Sequence, residues 1–429
     1  MTSRRDFLYV IGASAASAAA LTLWPGTSQA ATGADTRLLV LMLRGGLDGL
    51  HAVPPWGDPA YVRLRGAMAL IPGVPAAAGA SPAAHSPALQ LDSTFALHPS
   101  LVFARQLYGA GQFMPLVAAA PPYWGRSHFD AQDCVENGTA QPHGERTGWL
   151  NRAVAAMPGV NGLAIATVMP LMMRGPASVA SWSPPLPLQI NPVLLQRLEP
   201  LYGDDPRLAG PFAQAITDQG RDQAIDHDLR DASASTTDAM MTPGVPAIPK
   251  AMPWGPERLP RLMKAAGTFM ARDNGPRIGF VEDYGWDTHA NEAAILARKL
   301  KELDDGFAAF HAAATAVWAR TVLIVVTEFG RTAAINGTNG TDHGTGGTLF
   351  LAGGAVRGGR VAGVWPGMAT SDLYQQRDIH ATTDIRAVFK AVLATHLALD
   401  EGILATRVFP GSSTLAPAEG LVGTPASAA

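Results

Sequence analysis

The chain has one cysteine, Cys134, among 429 residues. That excludes an internal disulfide and any zinc site built from several thiolates. Charge is also scarce, at 16% of residues, and neither sign dominates: 32 Lys+Arg stand against 35 Asp+Glu, a formal net charge of −3. With no basic surplus, binding to nucleic acid through bulk electrostatics is not expected. Past the first thirty residues there is no apolar run of the length needed to span a bilayer, about 20 residues. What the chain has in quantity is glycine (45) and proline (34) on a 47% hydrophobic background. This is the composition of a loop-rich globular protein, not of a coiled coil or a disordered chain. At this length a large core is easily buried, in one large domain or two ordinary ones.

The N-terminus reads as an address. Thr2-Ser3-Arg4-Arg5-Asp6-Phe7-Leu8 is a twin-arginine export motif, and an alanine-rich apolar stretch follows from Tyr9 to about Leu23. Pro25-Gly26 ends that stretch before it reaches membrane-spanning length, and Ser28-Gln29-Ala30 offers the small residues that a signal peptidase reads. The expectation is a cleaved signal over residues 1–30 and an exported mature chain, periplasmic or extracellular, whose partner on the way out is the twin-arginine machinery. That machinery carries folded cargo, which favours a protein that loads a metal or cofactor before export.

Continuous apolar runs of strand length recur along the mature chain: 37–43, 113–119, 162–168, 277–281, 321–327 and 348–352. Runs without alternation suit strands buried on both faces, as in a parallel sheet covered by helices. The clearest helix covers Asn291 to about Trp318, where Leu296, Leu300, Leu303, Phe307 and Phe310 form one apolar stripe. It lies between two strand candidates, as a βαβ crossover requires. The predicted fold class is therefore α/β, with a mostly parallel central sheet and helices on both faces. Gly73–Pro87 and Asp226–Pro256 read as surface loops, the second as a loop insertion, and residues 413–429 read as a loosely held tail.

Polar residues gather where these strands end. Asp48 follows the first run, Arg126-Ser127-His128 the second, Asp287-Thr288-His289 the run near 281, and Glu328 the run ending at Thr327; Asp342-His343 precede the last. Ligands of parallel α/β sheets bind beyond the carboxyl ends of the strands, so these segments point to one shared site. Asp48, Asp287, Glu328 and Asp342 offer hard oxygens, and His289 and His343 offer imidazoles. A mixed set suits zinc, manganese or iron better than calcium. One or two divalent ions are expected, zinc or manganese first; a pair about 4 Å apart could activate a nucleophile and stabilise a leaving oxygen. Ser127 is the candidate nucleophile at a helix start, with Arg126 to hold an oxyanion and His128 beside it in the catalytic group. Ser127-x-x-Asp130 is equally the pattern of a helix cap. Cys134 reads as a buried structural thiol, and His51, His98 and His380 as weaker ligand candidates.

The segments LRGGLDGL, RSHFDAQD, GWDTHANE, VVTEFGRT and GTDHGTGG, in that order, resemble the DUF1501 family of exported bacterial proteins, over about residues 36–412. That family is grouped with the alkaline phosphatase-like superfamily. The resemblance implies an alkaline phosphatase-like α/β domain over 31–412. Asp48 would be an early metal-binding Asp and Ser127 the nucleophile, with Asp287, His289 and His343 in a metal site. It also implies hydrolysis of phosphate or sulfate esters, small or polymeric. Thr-Glu-Phe-Gly stands where the superfamily has Ser-Asp-His-Gly, so Glu328 replaces an Asp and Phe329 a histidine ligand. The other readings are a binding or assembly protein on the same fold, and a polysaccharide- or cell-wall-acting enzyme using Asp287 and Glu328 as a carboxylate pair.

Overall fold

The structure is a computed structural model that describes residues 35–73, 87–184 and 258–423. The expected signal over 1–30 and the loop at 226–256 lie outside the described residues, as does most of the 73–87 loop. The chain divides into two compact units, the larger made of residues 29–162, 170–179 and 259–429. In the smaller unit, Ala166 donates a backbone hydrogen bond to the carbonyl of Trp182 (3.0 Å).

The larger unit is built on β1 (Arg37–Arg44), β2 (Phe113–Ala120), β3 (Ile278–Tyr284), β4 (Thr321–Thr327), β5 (Gly347–Ala352) and β6 (Thr383–Asp384). They lie in the order β6-β2-β5-β4-β1-β3. β1 runs parallel to both of its neighbours, with Leu41 opposite Val281 on one side and Val325 on the other. β6 is parallel to β2, while β5 is antiparallel to β2 and β4. The sheet is thus mixed and mostly parallel, as predicted. Every residue of β2, β4 and β5 is buried, and all of β1 up to Leu43. Strands covered on both faces have no reason to alternate, which is why the apolar runs are continuous.

The helices that matter for the site are α1 (Gly49–Ala52), α2 (Tyr61–Arg65), α3 (His128–Asn137), α4 (Glu292–Ala313) and α5 (Ile385–Thr395). α4 links β3 to β4, the two strands that flank β1. Its stripe Leu296, Leu300, Leu303, Phe307 and Phe310 is entirely buried. The helix is shorter than the predicted 291–318, because a separate 3-10 turn, Trp318–Arg320, leads into β4. α3 opens on Ser127 as its N-cap and closes on Gly138, a left-handed residue whose N–H reaches the Cys134 carbonyl. Cys134 is a free, buried thiol on α3, and burial pushes it up to about 12.

Of the expected tail at 413–429, residues 413–423 are described. The Lys390 ammonium on α5 donates to the Ser412 and Leu415 carbonyls (2.9 and 2.5 Å), and Leu421 and Val422 are buried. The mixture of Gly, Ala and Pro hid this, because the contacts come from backbone carbonyls rather than from a side-chain pattern. Among the described residues no helix is long and apolar enough to cross a membrane.

Candidate metal centre

The site is assembled from loops that leave β1, β2, β3 and β4 at their carboxyl ends. Arg331, four residues past β4, joins three of them. Its side chain is buried; Nε donates to the Gly46 carbonyl (2.7 Å), Nη1 to Thr341 (3.2 Å), and Nη2 to Gly45 (2.6 Å), Trp286 (3.1 Å) and the Asp287 carboxylate (2.6 Å). Gly45 has φ +127, and a Cβ there would lie 2.4 Å from the Asp287 nitrogen. Only glycine lets the first loop approach the third this closely. The Arg331 guanidinium holds the Asp287 carboxyl below its ordinary range, against the opposing effect of partial burial.

Three imidazoles meet this carboxylate. His343 Nε2 lies 2.9 Å from His128 Nε2 and 3.0 Å from His289 Nε2. Asp287 Oδ1 is 2.9 Å from His289 Nε2 and 3.3 Å from His343 Nε2, and its Oδ2 is 3.4 Å from His128 Nε2. The opposite nitrogen of each ring faces an oxygen. His128 Nδ1 is 2.8 Å from Glu328 Oε1, His343 Nδ1 is 3.1 Å from the Arg126 carbonyl, and His289 Nδ1 is 3.3 Å from Asp342 Oδ1. These contacts aim the Nε2 of each ring at the cluster, where Asp287 is the facing carboxylate. Three Nε2 atoms and the Asp287 carboxylate thus converge on one point. With each ring protonated on Nδ1, these would be four acceptors facing one another, an arrangement that a cation relieves.

The donor set fits a metal. Nitrogen and oxygen ligands of a tetrahedral ion with bonds of about 2.0–2.1 Å stand about 3.3 Å apart, close to the 2.9–3.4 Å separations here. Among the described residues, His128, Asp287 and His343 form a set whose ligand atoms all lie within 4.8 Å of one another. His289 lies beside this set, its Nε2 3.0 Å from His343 Nε2 and 2.9 Å from Asp287 Oδ1. Carboxylate and carbonyl partners on the far ring nitrogens are the arrangement that fixes a ligand histidine's tautomer and aim.

Glu328 stands behind the cluster. It is fully buried, which by itself would raise its pKa; hydrogen bonds from His128 (2.8 Å), Gln132 (2.8 Å) and the Gly45 N–H (2.8 Å) hold it below its ordinary range instead. The same hydrogen bond raises His128, whereas burial, then the charge of His128, lowers His343. Asp342 is lowered chiefly by the Asn336 amide that donates to it (3.2 Å).

A family model described as "Protein of unknown function (DUF1501)" matches residues 35–408. The chain belongs to the DUF1501 family. No curated protein matches its sequence. Among solved structures, the TAB5 alkaline phosphatase is similar, in a histidine-to-glutamate mutant with Mg bound in its M3 site. The likeness has 12% identity and a TM-score of 0.31, over 74% of this chain and 90% of that one.

Of the residues the sequence singles out, this DUF1501 chain brings together His128, Asp287, His289, Asp342, His343 and Glu328. His128, read from the sequence as a member of the catalytic group, faces the metal-ligand cluster. Glu328, read as a ligand, supports His128. Asp48 has other partners. Its carboxylate pairs with Arg65 of α2 and caps α1 by accepting from the Leu50 N–H (3.0 Å), with Asp48 and Arg65 both fully buried. Glu292 lies against the same pair; burial, then the Asp48 charge, pushes it up to about 9. Ser127 caps α3, its hydroxyl accepting from the Asp130 N–H at 3.5 Å. The Arg126 guanidinium is engaged by Asp378 (2.6 Å) and Gln375 (2.8 Å). His51 and His98 are buried with ring centroids 5.1 Å apart, and His380 packs on Trp124. Arg331 and Gln132 were missed by sequence reasoning. Arg331 follows the conspicuous Thr-Glu-Phe-Gly segment directly, and nothing local distinguishes Gln132 from any exposed helical glutamine.

Proposed function

We propose that this DUF1501 protein binds one divalent transition-metal ion through His128, Asp287, His289 and His343 and hydrolyses anionic esters of phosphate or sulfate. The observation that carries the reading is the meeting of three Nε2 atoms and a carboxylate, each imidazole with its Nδ1 facing an oxygen. A bound divalent ion there supplies Lewis-acid stabilisation of ester oxygens and lowers the pKa of a hydroxyl beside it. Ser127 is the nucleophile in this reading. It adjoins the ligand His128 at the N-terminus of the ten-residue helix α3, where free backbone N–H groups favour an anionic ester. Its hydroxyl accepts a long hydrogen bond from the Asp130 N–H (3.5 Å) and meets the Tyr123 phenol. Arg126 contributes through its carbonyl, which holds His343. The mature protein acts outside the cytoplasm, delivered by the Arg4-Arg5 signal.

The test is elemental mass spectrometry on the exported protein, with turnover of aryl phosphates and aryl sulfates. About one equivalent of zinc or manganese is expected in the wild type and none in His343→Ala. Ser127→Ala should keep its metal and fall below about a thousandth of wild-type turnover. Full turnover in Ser127→Ala would leave Ser127 as a helix cap. Metal-free wild type would overturn the reading and favour a binding or assembly role on the same fold.

A further inference from the structure

Glu328 and Phe329 are the first two residues beyond β4, and neither sits as a ligand would. Oε1 of Glu328 accepts from three donors, His128 Nδ1, Gln132 Nε2 and the Gly45 N–H, each at 2.8 Å, and Oε2 has the Thr327 hydroxyl at 3.0 Å. Oε1 thus faces three protein donors, and the Thr327 hydroxyl beside Oε2 is shared with the Leu43 carbonyl (2.8 Å). The side chain has no exposed surface, while the rings it serves are partly open to solvent. Phe329 lies with its ring centroid 4.8 Å from His128 and 5.0 Å from His343, tilted 39° and 36°. It is the common wall on which both imidazoles lean.

We propose that Glu328 and Phe329 are a positioning pair, and that they make the centre a three-imidazole, one-carboxylate site selective for zinc-type ions over magnesium and calcium. Glu328 keeps the His128 proton on Nδ1 and aims its Nε2 at the cluster. Phe329 fixes the planes of His128 and His343. With Glu328 withheld, one carboxylate is left against three nitrogens, a set that nitrogen-preferring ions satisfy and hard, oxygen-preferring ions do not. This rests on the reading of the cluster as a metal centre.

The experiment uses the full chain loaded with zinc or cobalt(II), chelator competition for affinity, and X-ray absorption to count imidazole ligands. The wild type is expected to show three imidazoles and to prefer zinc to magnesium by many orders of magnitude. Glu328→Gln keeps the shape of the side chain; its first coordination sphere should be unchanged, with affinity about 10–100-fold lower. His128→Gln should lose one imidazole. An oxygen ligand lost in Glu328→Gln would make Glu328 a ligand, and three imidazoles retained in His128→Gln would show that His128 is not one; either overturns the proposal. Unchanged affinity in Glu328→Gln would also overturn it. A wild type that binds no metal would overturn the metal centre itself, a result distinct from any of these.

Discussion

Asp48 and Arg65 are both fully buried, and each is the other's counter-charge. Glu292, packed against them, is pushed above its ordinary range by burial and then by the Asp48 charge. Removing Asp48 takes the paired counter-charge from a buried guanidinium and leaves only Glu292 beside it. Asp48→Asn is therefore expected to lose about 3–5 kcal/mol in urea denaturation and to keep its metal content. Wild-type stability with lost metal would instead make Asp48 a ligand. At this scale the sequence identified several donors, because Asp287, His289 and His343 each follow or precede an apolar strand. It could not divide the roles of His128 and Glu328. Which one faces the cluster depends on a hydrogen bond between residues two hundred positions apart.

The loop that follows β1 is the element on which the others converge. Its Gly45 carbonyl accepts from Arg331, its N–H donates to Glu328, and its missing Cβ leaves room for Asp287. Gly45→Ala combines a left-handed-side backbone with a clash against the Asp287 nitrogen, so the loops must separate. A loss of about 2–4 kcal/mol in thermal or urea unfolding should accompany weaker metal retention on dialysis. A variant that unfolds like the wild type and keeps its metal would contradict this account of the loop. Elements of this kind are unevenly legible. β1, β2 and β4 announce themselves as unbroken apolar runs, because both of their faces are covered. β6 is two residues, Thr383–Asp384, and no pattern of that length separates a strand from a turn.

Within the larger unit, His396 ties the end of α5 to the start of β1. It follows α5, is buried, and its Nε2 lies 2.9 Å from the carbonyl of Arg37 at the start of β1. Burial lowers its pKa to about 4. In the unfolded chain a histidine takes up its proton near pH 6.5; in the fold it does so only near 4. Between these values the unfolded state binds more protons, so the stabilising contribution is complete above pH 6.5 and lost as the pH falls through 4. The size of that loss is about 3 kcal/mol for a shift of this order. Chemical denaturation from pH 7 to pH 4 should show wild-type stability falling more steeply than that of His396→Gln, by about this amount. Parallel curves would show that His396 is not the group titrating.

By itself the sequence determined the fold class, the strands of the sheet centre, the long helix with its apolar stripe, and the chemistry of the available donors. These are local properties: burial on one or two faces writes a period of its own, and a residue's donor atoms do not depend on its neighbours. The tertiary structure decided which donors meet. Asp48 pairs with Arg65, Glu328 turns its oxygens to His128 and two other donors, and Arg331 draws three loops around Asp287. Each of those outcomes is a contact between distant segments, governed by burial and charge balance in the folded chain, and no spacing along the sequence encodes it.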